Sequence, residues 1–297
     1  MSSNKNNWLV GSHMRFRDNI ADTVISSLNK NMASVQFFLG NPKCISKRAY
    51  IEEADINRVK ELDPINIFTH FPYCVNLAGS ISLKCLAWDD SKNEKRLLCE
   101  SILLGGLKSI EYELKITSSF NKVKNGVVIH PGNWPDRKEG LKAIAASINK
   151  IKFPKGSTLL LENSAGQGNS LATTFEEIKA IIDDLNEEQK QYIGICIDTC
   201  HIFAYGDYDL RECKEVDRML SDFDKLFGRN MLKLIHLNDS TTKLKSRRDN
   251  HAFIGEGYIW KDNITSLIHL LNETAGIPTV LETTPDDMET IEHLKME

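Results

Sequence analysis

The chain has 297 residues, with 37 Lys and Arg against 41 Asp and Glu, a formal charge of −4. That balance excludes a protein coated in basic residues for gripping nucleic acid, although ions held in an acid-lined pocket would reverse the local sign and admit a phosphodiester. No apolar run is long enough to cross a bilayer, and the polar opening from Met1 to Asn7 has no apolar core behind it, so an intracellular protein with no membrane partner is expected. Seven cysteines, an odd number without framework spacing, predict reduced and mostly buried thiols.

After a polar tail over residues 1–7, Trp8 to His13 reads as a first strand, followed by helical spacing from Asp18 to Asn31. Val35 to Leu39 is a second strand broken by Gly40-Asn41-Pro42, and Tyr50 to Leu62 is helical. Ile65 to His70 is a third strand, followed by a long connection to about Asp90 and a helix from Asn93 to Thr117. Gly126 to Gly132 is the fourth strand, with a helix from Arg137 to Lys150. Ser157 to Asn163 is the fifth, followed by a glycine-rich loop and a helix from Thr174 to Leu185. The sixth runs from Tyr192 to Ile197 and delivers Asp198 and His201, with a helix from Asp207 to Phe227 behind it. Leu232 to Asp239 is the seventh strand and Thr279 to Thr283 the eighth. Between them lie a polar loop and a helix from Ile259 to Thr274, and a short helix from Asp287 to Leu294 closes the pattern.

Eight alternations of strand and helix, without a linker, predict one α/β domain over residues 8–297, a (β/α)₈ barrel of the usual size. A doubly wound open sheet is the other arrangement, but it gathers its ligands at a switch point, whereas here ionisable residues end strands three to eight. His70, His130, Glu162, Asp198 with His201, His236 and Glu282 would share the C-terminal rim, joined by Asp249 and His251 from the loop after strand seven. Each has a plain alternative: a strand-end histidine satisfied by a hydrogen bond, a carboxylate paired with Lys or Arg, or Asp198 capping the next turn. Taken together, five imidazoles and four carboxylates on one rim require cations. Nitrogen and oxygen donors suit a borderline divalent ion, and nine are too many for one. Cys196 shares the inward face with Asp198 and reads as core filling; its C-x3-C spacing with Cys200 makes it a competing soft ligand. His13 reads as a neighbour of the ligands, and His269 and His293 as ordinary helix residues.

The stretches Leu159-Leu160-Leu161-Glu162-Asn163-Ser164-Ala165-Gly166-Gln167-Gly168-Asn169, Gly194 to His201, His236-Leu237-Asn238-Asp239-Ser240, Arg248-Asp249-Asn250-His251 with Gly255-Glu256-Gly257, and Leu281-Glu282-Thr283 resemble the endonuclease IV family of apurinic/apyrimidinic endonucleases. The resemblance runs in order from about Leu9 to Leu294. It implies three zinc ions per chain at the mouth of the barrel. His70, His130 and Glu162 would hold the first, Glu162 as a bridge with Asp198, His236 and Glu282 the second, and His201, Asp249 and His251 the third. The implied reaction is hydrolysis of the phosphodiester 5′ to an abasic site in duplex DNA, leaving a 3′-hydroxyl and a 5′-deoxyribose phosphate, with trimming of blocked 3′ ends at the same centre. Glu162 and Glu282 would be the catalytic carboxylates, and a monomer is expected.

For DNA contact the resemblance points to Tyr73, to Cys74 where the family carries a bulky apolar residue, and to Lys43 after strand two. The family follows its first histidine with a double-glycine loop; here His13 is followed by Met14-Arg15-Phe16-Arg17, and Arg15 and Arg17 are candidates for phosphate. Lys243, Lys245, Arg247 and Arg248 offer further phosphate contacts or form a solvated loop. A sugar isomerase or epimerase, an ultraviolet-damage endonuclease and a metal-dependent DNA-binding scaffold are the competing classes.

Overall fold

The structure is a computed structural model that describes residues 7–45, 49–79, 91–120 and 123–296. The tail before residue 7 and the end of the connection before Ser91 lie outside the described residues. Eight parallel strands form a closed barrel: β1 (Leu9–His13), β2 (Ser34–Phe37), β3 (Asn66–His70), β4 (Asn125–Ile129), β5 (Leu159–Glu162), β6 (Ile193–Asp198), β7 (Leu232–His236) and β8 (Pro278–Leu281). Neighbours in sequence are neighbours in the barrel, and β1 pairs with β8 to close it, Ser12 lying opposite Leu281. The open-sheet alternative is thereby excluded.

The surrounding helices are α1 (Ile20–Leu28), α2 (Glu53–Glu61), α3 (Ser91–Thr117), α4 (Arg137–Ile148), α5 (Phe175–Asp183), the single turn α6 (Glu187–Lys190), α7 (Thr199–Tyr205), α8 (Cys213–Phe227), α9 (Ile264–Glu273) and α10 (Met288–Met296). Asn19, Asp136 and Thr174 cap α1, α4 and α5, each side chain accepting the N–H three residues on. Among the described residues no helix is long and apolar enough to cross a membrane.

Period two along the strands sets the interior. Phe68, Val128, Leu160, Cys196, Leu234 and Val280 form a closed apolar cluster inside the barrel. Two residues further along each strand stand His70, His130, Glu162, Asp198, His236 and Glu282, one repeat of about 7 Å nearer the C-terminal rim. Cys196 belongs to the apolar layer, as core filling. The expectation of mostly buried thiols holds for Cys196 and Cys200 but not for exposed Cys74 or half-exposed Cys44 and Cys213.

Two helix starts differ from expectation for the same reason: side-chain carboxylates take up backbone amides. Asp198 accepts the N–H of His201 at 2.8 Å, so a helix begins directly after β6. Gly206, with φ +90°, stops it, and α8 begins only at Cys213. The amides of Ile259 and Trp260 are bound to Asp239, so α9 begins at Ile264 instead of Ile259. β7 ends at His236, and the expected continuation to Asp239 becomes a small hairpin in which Asp239–Ser240 pairs antiparallel with His251–Ala252.

Candidate metal centre

Glu162, buried at the end of β5, has imidazoles on both oxygens. Oε2 lies 3.2 Å from His70 Nε2 and 3.1 Å from His130 Nε2, and Oε1 lies 3.0 Å from His236 Nδ1. Glu282 Oε2 approaches His236 Nδ1 from the other side at 3.3 Å. Asp198 Oδ2 stands 3.8 Å from His251 Nε2 and 4.0 Å from His236 Nδ1. At the outer edge Asp249 sits between His201 Nε2, 3.2 Å away, and His251 Nε2, 3.0 Å away. Three sets each bring donor atoms within 4.8 Å of one another: His70, His130 and Glu162; Glu162, Asp198, His236 and Glu282; and His201, Asp249 and His251. The structure therefore brings all nine residues together, Glu162 being common to two sets. Asp198 with Cys200 and His251 forms an overlapping set.

Three imidazoles are oriented by an oxygen at one ring nitrogen, which leaves the other for the carboxylates. Phe71 O is 2.9 Å from His70 Nδ1, Asn163 O is 2.7 Å from His201 Nδ1, and Gln36 Oε1 is 2.9 Å from His236 Nε2. The arrangement is that of a site where a second layer of hydrogen bonds aims the ligands. Two amides complete that layer. Asn238 Nδ2 donates to Asp198 Oδ2 at 2.7 Å and to Glu282 Oε2 at 3.0 Å, while Gln36 Nε2 donates to Glu282 Oε1 at 3.0 Å. Sequence reasoning assigned no role to either; the only signal was a buried amide in the apolar run Val35 to Leu39. His13 Nδ1 is 3.0 Å from Gln36 Nε2, next to the site without entering it, and burial pushes its imidazole down to about 4.

The charges do not balance with side chains alone. Among the described residues every ion-pair partner of these four carboxylates is an imidazole. Burial works to raise the Glu162 carboxyl, and His130 and His236 overcome it, holding it well below the ordinary range. Burial likewise opposes Glu282, which His236 brings down to about 2, whereas Asp198 is raised because burial prevails. The imidazoles move the other way: against burial, Asp198 and Asp249 lift His201 well above its usual range, and Asp249 and Asp198 lift His251 to about 9. His236 is lifted too, against burial, by Glu282 and Glu162. Cations are thus required here, as protons or as metal.

The donor set fits divalent ions. His251 Nε2 is buried without a hydrogen bond although Asp249 Oδ1 is only 3.0 Å away, the relation expected of two ligands that face a common third partner. Cys196 belongs to none of the donor sets among the described residues and lies in the apolar layer beneath them, where burial pushes its thiol up to about 12.

The DNA-contact candidates divide into two places. Tyr73 packs its ring 5.3 Å from both His70 and His130 and 5.5 Å from Phe38, and with Asp249 and Gln167 it lines an open cleft of about 330 Å³ over the centre. Arg247 stands beside Gly166, its guanidinium 5.6 Å from the centre of the Tyr205 ring. Its loop is anchored through the backbone, the amides of Lys245 and Arg247 donating to the carbonyls of Phe203 and Ala204 with both residues at positive φ, while the side chains of Lys243, Lys245, Arg247 and Arg248 are exposed to solvent. Arg248, Lys43 and Cys74 lie at the surface. Arg15 and Arg17 lie elsewhere, lining a groove between the first loop and α1 together with Asp18 and Asp22.

Residues 106–296 match a family model described as a xylose isomerase-like TIM barrel. The chain is 33% identical over 288 residues to a probable endonuclease 4 of Methanosphaera stadtmanae, covering 94% of each. It is 42% identical over 158 residues to an apurinic-apyrimidinic endonuclease of Caenorhabditis elegans, covering 52% of this chain and 39% of the relative. The crystal structure of endonuclease IV from Thermus thermophilus superposes with a TM-score of 0.72 over 97% of both chains at 23% identity, a likeness of fold. With the sequence match running nearly end to end and the nine donors gathered at the mouth of the barrel, the chain belongs to the endonuclease IV family.

Proposed function

We propose that the protein is a DNA-repair endonuclease that hydrolyses the phosphodiester 5′ to abasic sites in duplex DNA, leaving a 3′-hydroxyl and a 5′-deoxyribose phosphate, and that trims blocked 3′ ends at the same centre. The observation that carries this reading is the convergence of three donor sets on one rim, two of them sharing Glu162. His70, His130 and Glu162 would hold one zinc ion, Glu162, Asp198, His236 and Glu282 a second, and His201, Asp249 and His251 a third. Zinc bound in this way supplies a nucleophile from water near neutral pH and neutralises charge on phosphoryl and leaving oxygens.

The remaining work falls to the chain. Gln36 and Asn238 hold Glu282, and Asn238 also holds Asp198, so the carboxylates keep their direction through the reaction. The apolar layer from Phe68 to Val280 closes the floor of the barrel and keeps water out from below. Tyr73, exposed at the cleft, is placed to meet a sugar turned out of the helix, which costs little where no base pair remains. Arg247 and Arg248, exposed on the loop that leads to Asp249, and exposed Lys43 would offer charges to the flanking phosphates.

The test is to give the zinc-loaded protein an abasic duplex, an ultraviolet-damaged duplex and a ketose. Incision of the abasic duplex alone, 5′ to the lesion, is expected. Failure on that substrate together with turnover of either of the others overturns the assignment.

A further inference from the structure

The arm that carries Asp249 and His251 belongs to no barrel strand. It leaves after β7 and returns at α9, and two buried carboxylates hold it. Asp239, fully buried, accepts five backbone N–H groups: Ser240 at 2.7 Å and Ile259 at 2.9 Å on Oδ1, and Gly257 at 3.0 Å, Gly255 at 3.1 Å and Trp260 at 3.3 Å on Oδ2. Asp287, 3% exposed, accepts the N–H of Ile254 at 3.0 and 3.2 Å and the hydroxyl of Thr283 at 2.6 Å. Five amides on one carboxylate, each bond strengthened if the acceptor is charged, fix the backbone of the arm at Ser240 and over residues 255–260.

The connections run to the ligands. Asp239 follows His236 by three residues, and in the hairpin it pairs with Ala252 while Ser240 pairs with His251. Thr283 follows Glu282 directly. The two carboxylates thus tie the outer donor arm to the ends of β7 and β8, which carry His236 and Glu282. Gly257 is part of the fit: a Cβ there would come within 2.4 Å of Asp239 Oδ1 and 2.5 Å of Ser240 O.

A site built on a loop needs its ligands within about half an ångström of the productive position, and a two-residue hairpin does not provide that by itself. We infer that Asp239 and Asp287 are positioning residues for the third ion, clamping the Asp249 and His251 arm against the strand ends that hold the second. The inference rests on the three-ion reading above. It requires that loss of the clamp be felt first at the outer ion and only weakly at the other two.

The experiment compares wild type, Asp239→Asn and Asp287→Asn, each stripped of metal and titrated with zinc and with cobalt. Ion content is counted by elemental analysis, the cobalt environment is followed by visible absorption, and folding is checked by circular dichroism. Both variants should fold, keep the first two ions as tightly as wild type, and hold the third at least about tenfold more weakly, with occupancy restored by excess zinc. Asp287→Asn removes fewer contacts and carries the test should Asp239→Asn fail to fold. Wild type holding fewer than three ions would fail the three-ion reading and the inference with it. Wild type holding three while both variants bind the third equally tightly would overturn the clamp alone. So would loss of all ions together, or failure of both variants to fold.

Discussion

Both oxygens of the buried Glu162 carboxylate face imidazoles. Replacing it by an amide leaves the shape and removes the charge. Glu162→Gln is therefore expected to fold and to lose nearly all incision; retention of more than about a tenth of the wild-type rate, a barrier change under about 1.4 kcal/mol, would remove Glu162 from the bridging role. Single-turnover cleavage of an abasic duplex measures it. Six of the nine donors are legible in the amino-acid sequence because an apolar strand that ends on His, Glu or Asp breaks the pattern of a buried strand, whereas His201, Asp249 and His251 are read only as neighbours of those ends, from the turn after strand six and the loop after strand seven. Gln36 and Asn238 are not. An amide gives no such signal, since it serves equally in turns, caps and cores, and only the distances to His236, Asp198 and Glu282 reveal the role.

At the scale of elements, the arm between β7 and α9 and the short helix α7 share the outer donor set. His201 stands on α7, a helix set in place by Asp198, while Asp249 and His251 stand on the arm. Removing the two arm donors leaves His201 alone, too few for a stable site. The double variant Asp249→Ala, His251→Ala should lose one ion, bind abasic duplex within about tenfold of wild type, and cleave at least about 100-fold more slowly, the effect of losing one preorganised electrostatic partner. Gel shift and single-turnover cleavage on the same duplex separate the two quantities; undiminished cleavage after loss of the ion would make that ion structural. The count and order of elements are readable from periodicity, but α7, the hairpin and the late start of α9 are not. Each depends on a side-chain carboxylate that competes with helix or strand for backbone amides, and Asp198 and Asp239 do so through bonds that a hydrophobicity pattern does not carry.

Across the whole molecule the metal-free centre stands out as a store of protons, held on imidazoles by the surrounding carboxylates. Without metal, His201 and His236 are held well above the usual imidazole range and His251 at about 9, so all three carry protons at pH 7. Metal binds only the neutral ring, so each such ligand must give up its proton. Zinc added to the metal-free protein at pH 7 should release about three protons, and zinc affinity should rise with pH through that range. A pH indicator in weak buffer reads the release; an uptake of protons, or none, would contradict the charge arrangement. A second stabilising pair lies outside the centre: Arg137 binds Glu177 and, despite partial burial, holds its carboxyl below the ordinary range. Its contribution is present above pH 4.5 and is lost as pH falls through the lowered value. Glu177→Gln should therefore cost about 1 kcal/mol near neutrality, solvent screening included, and nothing in strong acid, as urea titrations at the two pH values would register.

Closure of the barrel by β1 and β8 has a bearing on timing during synthesis. The donors are spread from His70 to Glu282, and the last of them directly follows β8, the strand whose pairing with β1 completes the ring. A chain emerging from the ribosome therefore presents isolated histidines and acids for most of its translation, and no half of it contains a complete bridged pair. On the proposed reading, competence to hold the bridged ions and to cut DNA would arrive only after the final strand is in place, and an unfinished chain would leave the genome untouched.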